Sequence, residues 1–216
     1  EIGSGLVGSE MCIRDSFCEL GKQIEEIEKA GVQYLHVDVM DGIFVPSISF
    51  GMPIVSSVRP RTKMFMDVHM MVTRPERYVE EFIRCGADGV TIHEEACDCV
   101  AETLCRIREA GAQAGLAINP ETPVEKLYPY LDKMDMALIM TVHPGFGGQK
   151  YIDACTEKIQ TLRQVIIDKG LDLKLQIDGG VNLDNLTMNL DAGADVIVAG
   201  LSLIHISEPT RPEPIS

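Results

Sequence analysis

His36 and Asp38 stand two residues apart in the apolar run Tyr34-Leu35-His36-Val37-Asp38-Val39-Met40, which breaks into the turn Asp41-Gly42. Side chains alternate along a strand, so His36, Asp38 and Met40 share one face. An imidazole beside a carboxylate at a strand's C-terminal end can bind a divalent cation or move a proton. Two further strand-like ends repeat the chemistry, Asp67-Val68-His69 and Gln176-Ile177-Asp178-Gly179-Gly180. His36, Asp38, His69 and Asp178 form a donor set of two imidazoles and two carboxylates. It suits Zn2+, Fe2+, Mn2+ or Co2+ without choosing among them. Taken singly, each Asp is explained as well by a turn or helix cap, and each His by core packing. Taken together on three strands, they read as one site.

The two aspartates also suggest acid–base work. If Asp38 and Asp178 reach opposite faces of one substrate carbon, one removes a proton and the other returns one, inverting that centre. A cation at the adjacent carbonyl stabilises the enediolate between the two steps. Met40, Met70 and Met140 lie near strand ends and are candidates for an apolar, polarisable cap over that intermediate. Ordinary core packing accounts for them equally well. His93 and His143 are candidates for substrate contact. Asp41 shapes the turn before Gly42. Asp67 shares the face of His69 one layer deeper, with its role open. Cys97-Asp98-Cys99 follows His93 without the spacing of a zinc site and reads as the start of a helix.

Glycines cluster after the later strands. Pro144-Gly145-Phe146-Gly147-Gly148-Gln149 follows one, Asp178-Gly179-Gly180-Val181 the next, and Gly200 ends the last. Glycine lets backbone N–H groups approach an oxyanion closely, and barrels often bind phosphate at these strand ends. No P-loop or dinucleotide fingerprint is present.

The elements that must position these residues alternate. Helical spacing is read over 17–30, 53–58, 75–85, 97–110, 152–169 and 183–192, with a helical turn or two over 122–130. Strands are read over 32–39, 64–70, 89–93, 114–118, 136–142, 173–178 and 195–199. Most are continuous apolar runs, as in parallel strands covered on both faces. Polar residues collect at nearly every strand's C-terminal end, namely Asp38, His69, His93, Asn119, Thr141 and Asp178. That favours a (β/α)8 barrel over a doubly wound sheet, which gathers its chemistry at one switch point.

At 216 residues the chain suits one domain. Its net charge of −14 makes nucleic acid and anionic membranes poor partners. No apolar run is long enough to span a bilayer. An odd count of 7 cysteines without a visible signal peptide points to reduced thiols in a cytoplasm.

Both ends stand apart. Residues 6–16 read Leu-Val-Gly-Ser-Glu-Met-Cys-Ile-Arg-Asp-Ser, and residues 201–211 read Leu-Ser-Leu-Ile-His-Ile-Ser-Glu-Pro-Thr-Arg. Back-translated, the two can be opposite strands of one DNA element, resembling a transposase-type sequencing adapter. The expected organisation is an adapter-like segment at 1–16, the barrel domain at 17–200 and a second adapter-like segment at 201–216. Cys12 and His205 then lose any claim to function.

The segments 36–42, Phe44-Val45-Pro46, Asp67-Val68-His69-Met70, 144–149 and 178–181 together resemble the ribulose-phosphate 3-epimerase family, in order and with family-like spacing. The resemblance implies a (β/α)8 TIM barrel, incomplete here because its first strand and last helix are replaced. It implies C3 epimerisation of D-ribulose 5-phosphate to D-xylulose 5-phosphate in the pentose phosphate pathway. It implies one divalent cation held by His36, Asp38, His69 and Asp178, with Asp38 as proton acceptor and Asp178 as donor in one direction. His69, Gly145, Phe146, Gly147, Gly148, Asp178, Gly179, Gly180 and Gly200 would hold the sugar phosphate. A cytoplasmic homo-oligomer is the expected setting. The family's first strand ends in a substrate-contacting Ser, where adapter-like sequence stands here, and Leu201 replaces another Ser. Rival readings are an epimerase for a hexulose 6-phosphate such as allulose 6-phosphate, a lyase of a related barrel, and a chimera without stable fold. The lyase would want a lysine at a strand end, and none is offered.

Overall fold

The computed structural model describes residues 5–8, by backbone alone, and 19–199. The chain runs β1 (Gly5–Gly8), α1 (Leu20–Lys29), β2 (Tyr34–Met40), α2 (Met52–Val58), β3 (Phe65–Met71), α3 (Val79–Arg84) and β4 (Gly89–His93). It continues α4 (Val100–Glu109), β5 (Gln113–Ile118), β6 (Met136–Met140), α5 (Cys155–Asp168), β7 (Lys174–Asp178), α6 (Leu183–Asp191) and β8 (Val196–Ala199). The strands are parallel and close in sequence order into a barrel. A 3-10 segment, Val124–Tyr130, stands where the fifth helix of the barrel would be. The helix expected from Pro75 starts instead as a 3-10 turn, Pro75–Arg77, before α3.

The (β/α)8 architecture is as expected, and its first strand comes from the adapter-like residues. They take the place of the strand expected to be replaced and pair on both sides. Gly5–Gly8 pairs with β8 over four positions and, among the described residues, meets β2 at Gly8 and Leu35. By contrast, β2 and β3 are in register from Tyr34–Phe65 through Met40–Met71. Among the described residues, the join between β1 and β2 has the fewest paired positions in the ring. Gly200 and the segments expected to be foreign beyond it lie outside the described residues.

Alternation splits the strands into two faces. Val37, Val39, Val68, Met70, Ile92, Leu116, Ile139 and Ile177 pack outward with Ile24, Phe82, Leu104, Ile107, Ile159 and Leu162. Burying each such side chain stabilises the fold by about 1.5–3 kcal/mol. Inside, Tyr34, Met136 and Val196, joined by Phe65, plug the N-terminal end, and Val198 carries that cluster up to the level of Asp178. Ala117, Leu138, Met140 and Val142 form a second apolar cluster nearer the mouth. Polar side chains of β2, β3, β4 and β7 fill the space between these clusters and the opening.

Strand pairs are clamped at the N-terminal face. Asp88 accepts the Met66 N–H at 2.8 Å and pairs with Arg59 at 2.6 Å. Asp135 accepts the Ala114 N–H at 2.8 Å and pairs with Arg108 at 2.8 Å. Asp195 accepts the Leu175 N–H at 2.8 Å and pairs with Arg163. Each carboxylate ties an even strand to the odd strand before it. The position before β2 is Gln33, which has no carboxylate to offer. No helix among the described residues is long and apolar enough to cross a membrane.

Candidate metal and proton-transfer site

The register of β2 and β3 sets His36 beside Asp67 and Asp38 beside His69. Asp178 reaches the same place from the end of β7. One ligand atom from each of His36, Asp38, His69 and Asp178 lies within 4.8 Å of all the others. The four residues expected to form one site are thus brought together from three strands. Asp38 is held at its backbone as well, because Ser49 Oγ donates to its carbonyl at 2.7 Å and accepts the Met40 N–H at 2.9 Å.

His36 is fully buried. Its Nδ1 lies 2.8 Å from Asp67 Oδ2. A carboxylate only accepts, so Nδ1 carries a proton, and in the neutral ring Nε2 presents a lone pair. That Nε2 has no hydrogen-bond partner. It sits 3.4 Å from Asp38 Oδ1 and 3.7 Å from Asp178 Oδ2. A buried nitrogen without a partner, aimed between two carboxylates, is costly unless something positive joins them. The donor set therefore fits a divalent cation.

His69 Nδ1 lies 2.9 Å from Asp38 Oδ1 and 3.6 Å from Asp178 Oδ2, while its Nε2 meets His93 Nε2 at 2.8 Å. His93 Nδ1 lies 3.2 Å from Glu95 Oε2. Glu95 Oε1 accepts the Asn119 N–H at 2.7 Å and the Thr122 hydroxyl. Beneath His36, Asp67 also accepts Gln176 Nε2 at 2.8 Å and faces Thr91 Oγ1 at 3.4 Å. A Cβ on Gly115 would come within 2.1 Å of that Thr91 oxygen, so the crowded wall requires glycine there.

Electrostatics follow the geometry. Burial alone would lower the His36 pKa, but the charge of Asp67, its bond to Nδ1 and the nearby carboxylates of Asp178 and Asp38 raise it well above its ordinary value. Burial would raise Asp38, yet His36 and His69 hold its carboxyl far below the usual range. Burial likewise opposes ionisation of Glu95, but His93, Asn119 and Thr122 bring it down to about 2. The pull that favours a second proton on His36 is the pull that would hold a cation.

A cavity of about 200 Å3 opens beside Asp178, lined by Phe146, Gly148, Gly179, Gly180 and Asn182. Gly179 and Gly180 have φ of 111° and 69°, in the region that favours glycine. A Cβ on Gly180 would meet the Tyr151 nitrogen at 2.4 Å. Of the other loop, Phe146 and Gly148 face the cavity. Gly145 instead packs its backbone on Pro46, where a Cβ would come within 2.9 Å of Cδ. Gln149 Nε2 holds the loop by donating to the Phe146 carbonyl at 2.8 Å.

Other expectations change. Met70 packs in the layer between barrel and helices, beside Val39 and Phe82, so a shielding role is not available to it. Its neighbour Met71 holds the inward register position opposite Met40. Met140 does lie inside, with Ala117 and Leu138. His143 pairs with Glu121 at 2.9 Å with most of its side chain exposed, away from the donors. His93 contacts His69 rather than open cavity. Asp41 shapes its turn by accepting the Ile43 and Phe44 N–H groups at 2.8 and 2.9 Å. Cys97 and Cys99 each face Thr103 Oγ1, at 3.4 and 3.6 Å, and belong to no donor group among the described residues. Glu95, Gln176, Thr91 and Ser49 were not singled out. Gln176 was legible, since it alternates with Asp178 on the inward face of one strand.

The fold is a (β/α)8 barrel whose candidate donor cluster lies at the C-terminal ends of its strands. The profile described as the ribulose-phosphate 3 epimerase family matches residues 11–204, and the chain belongs to that family. The ribulose-phosphate 3-epimerase of Bacillus subtilis is 44% identical over 193 residues, covering 89% of each chain. That of Synechocystis is 41% identical over 225 residues, covering 99% of this chain and 98% of its own. Among solved structures, a mutant tryptophan synthase α-subunit from Pyrococcus furiosus superposes with TM-score 0.68 at 15% identity, covering 94% of this chain and 89% of its own. A 3-hexulose-6-phosphate synthase superposes with TM-score 0.61 at 16% identity, covering 91% and 87%. These two share the fold alone.

Proposed function

We propose that the chain epimerises D-ribulose 5-phosphate and D-xylulose 5-phosphate at C3 by two-base proton transfer. The observation that carries the reading is the convergence of Asp38 and Asp178, from β2 and β7, beside a glycine-lined cavity. The relatives' names supply the reaction, and the geometry supplies residues able to perform it.

His36, Asp38, His69 and Asp178 would hold one divalent cation. When bound, it supplies Lewis acidity that stabilises the negative charge developing on the substrate. Asp38 accepts the C3 proton, and the electron pair left behind delocalises into the neighbouring carbonyl to give an enediolate. Asp178 delivers a proton to C3 from the opposite face, which inverts the centre, and reversal exchanges the two roles. Asp67, Gln176 and Thr91 fix the ring of His36. Met40, Met71 and Met140 line the approach and keep water from the enediolate. Gly179, Gly180 and Gly148 leave room for backbone to approach the phosphate. The sugar then lies between the phosphate end and the two aspartates.

The test is a coupled assay of pentulose phosphate conversion by the purified full chain, before and after chelator treatment and after Zn2+, Mn2+ or Co2+ is restored. Conversion that is lost and then regained supports the reading. Conversion indifferent to chelation at every concentration contradicts the cation's part in it.

A further inference from the structure

We propose that Glu95 is a positioning residue for the cation-facing nitrogen of His69, acting through His93. The inference rests on the cation reading of the His36–Asp178 cluster. It adds a carboxylate on the loop after β4 to the machinery that reading requires.

The direction of each bond follows from what each group can give. A His69 that offers its Nδ1 lone pair to a cation must carry its proton on Nε2. That proton points at His93 Nε2, 2.8 Å away, so His93 must accept there. Neutral His93 then carries its proton on Nδ1, which faces Glu95 Oε2 at 3.2 Å. Glu95 has a second oxygen, and the Asn119 N–H and Thr122 hydroxyl both donate to it. Those donors leave Glu95 no reason to rotate away. The relay ends in a charge held on three sides.

His36 solves the same problem by one step, with Asp67 as its acceptor. The site therefore has two imidazoles, each oriented by a carboxylate, one directly and one through a second imidazole. Both His69 and His93 are fully buried, so water does not substitute for the missing link. Ring geometry agrees, because His69 and His93 lie with centroids 5.0 Å apart and planes only 25° from parallel.

Glu95→Gln is the informative change. The Asn119 N–H needs an oxygen, which turns the new amide NH2 toward His93 Nδ1. His93 must then accept at Nδ1 and carry its proton on Nε2, where it opposes the proton of His69. Zn2+ affinity, measured by competition with a chelating dye, is expected to fall about 10- to 100-fold in Glu95→Gln. His69→Ala serves as the variant that removes the ligand itself. Long-range proton–nitrogen NMR of the Zn2+-loaded wild type is expected to show His93 neutral with its proton on Nδ1, a signature that a merely structural role would not fix. This spectrum decides the matter even if Glu95→Gln fails to fold. A Zn2+-loaded wild type with the His93 proton on Nε2 overturns the relay. So does a Glu95→Gln chain that binds Zn2+ like wild type while His69→Ala has lost it. A His69→Ala chain that binds Zn2+ as tightly as wild type overturns the cation reading itself, and the relay with it.

Discussion

Asp67 accepts the Nδ1 proton of His36 at 2.8 Å, with both side chains fully buried, and this one bond decides what the opposite nitrogen of His36 can do. With Nδ1 occupied, the neutral ring turns an Nε2 lone pair toward Asp38 and Asp178. Asp67 is ionised despite its burial, held below the usual carboxylate range by His36, Gln176 and His69. Asp67→Asn keeps the volume but can satisfy only part of this set. Zn2+ binding should weaken about 10- to 100-fold. The metal-free chain should lose about 3–5 kcal/mol, as when one partner of a buried pair is removed. Dye competition and urea unfolding measure the two effects. A variant with unchanged affinity would show that the His36 ring is oriented by packing alone.

Asp178→Asn removes the proton carrier on one face while Asp38 remains on the other. Epimerisation should fall by about 100- to 10,000-fold, the range of a lost general acid. Exchange of the substrate's C3 proton with solvent should persist at a reduced rate. Isotope exchange followed by NMR separates these steps, and wild-type turnover in this variant would sink the two-base scheme.

Gly180→Ala tests the cavity. The added methyl would meet the Tyr151 backbone nitrogen at 2.4 Å, and the φ of 69° adds strain. The change should raise KM for the sugar phosphate at least several-fold and lower stability by about 1–3 kcal/mol. Steady-state kinetics and thermal melting read these out. An unchanged KM would move the phosphate site elsewhere.

The pH dependence of stability has a definite sign at Glu95. Its folded-state pKa of about 2 lies below the ordinary 4.5. The stability it contributes is therefore fully present above about pH 4.5 and is lost as pH falls toward 2. In metal-free protein, the unfolding free-energy gap between wild type and Glu95→Gln should be about 1–3 kcal/mol near neutrality. It should narrow steadily from pH 4.5 downward. A gap that stays constant across that range would mean that Glu95 is not held as an ion.

Much of this site was legible because strand alternation is strict. Knowing that His36 faces inward fixes Asp38, and the same rule sets Asp67 and His69 one layer apart. The four donors follow from sequence once the strands form a barrel. Met70 was misread because it borders His69 in sequence, and alternation turns neighbours to opposite faces. His93 and Glu95 were illegible as a pair, since their meaning comes from a contact across strands. The arginine–aspartate clamps escaped for a related reason. Asp88, Asp135 and Asp195 recur once per strand pair, and no short sequence period marks that repeat. The seam at Gly5–Gly8 could not be foreseen either, because backbone pairing accepts almost any residue, including an adapter-like one.

In the proposed two-base transfer, C3 inverts by exchanging its proton through Asp38 and Asp178, which trade protons with solvent. The most direct test of this transfer is to run the full chain on D-ribulose 5-phosphate in D2O and examine the D-xylulose 5-phosphate by NMR at early conversion. One deuterium is expected at C3 of the product, delivered from Asp178. Product that retains the substrate's own hydrogen at C3 would contradict it.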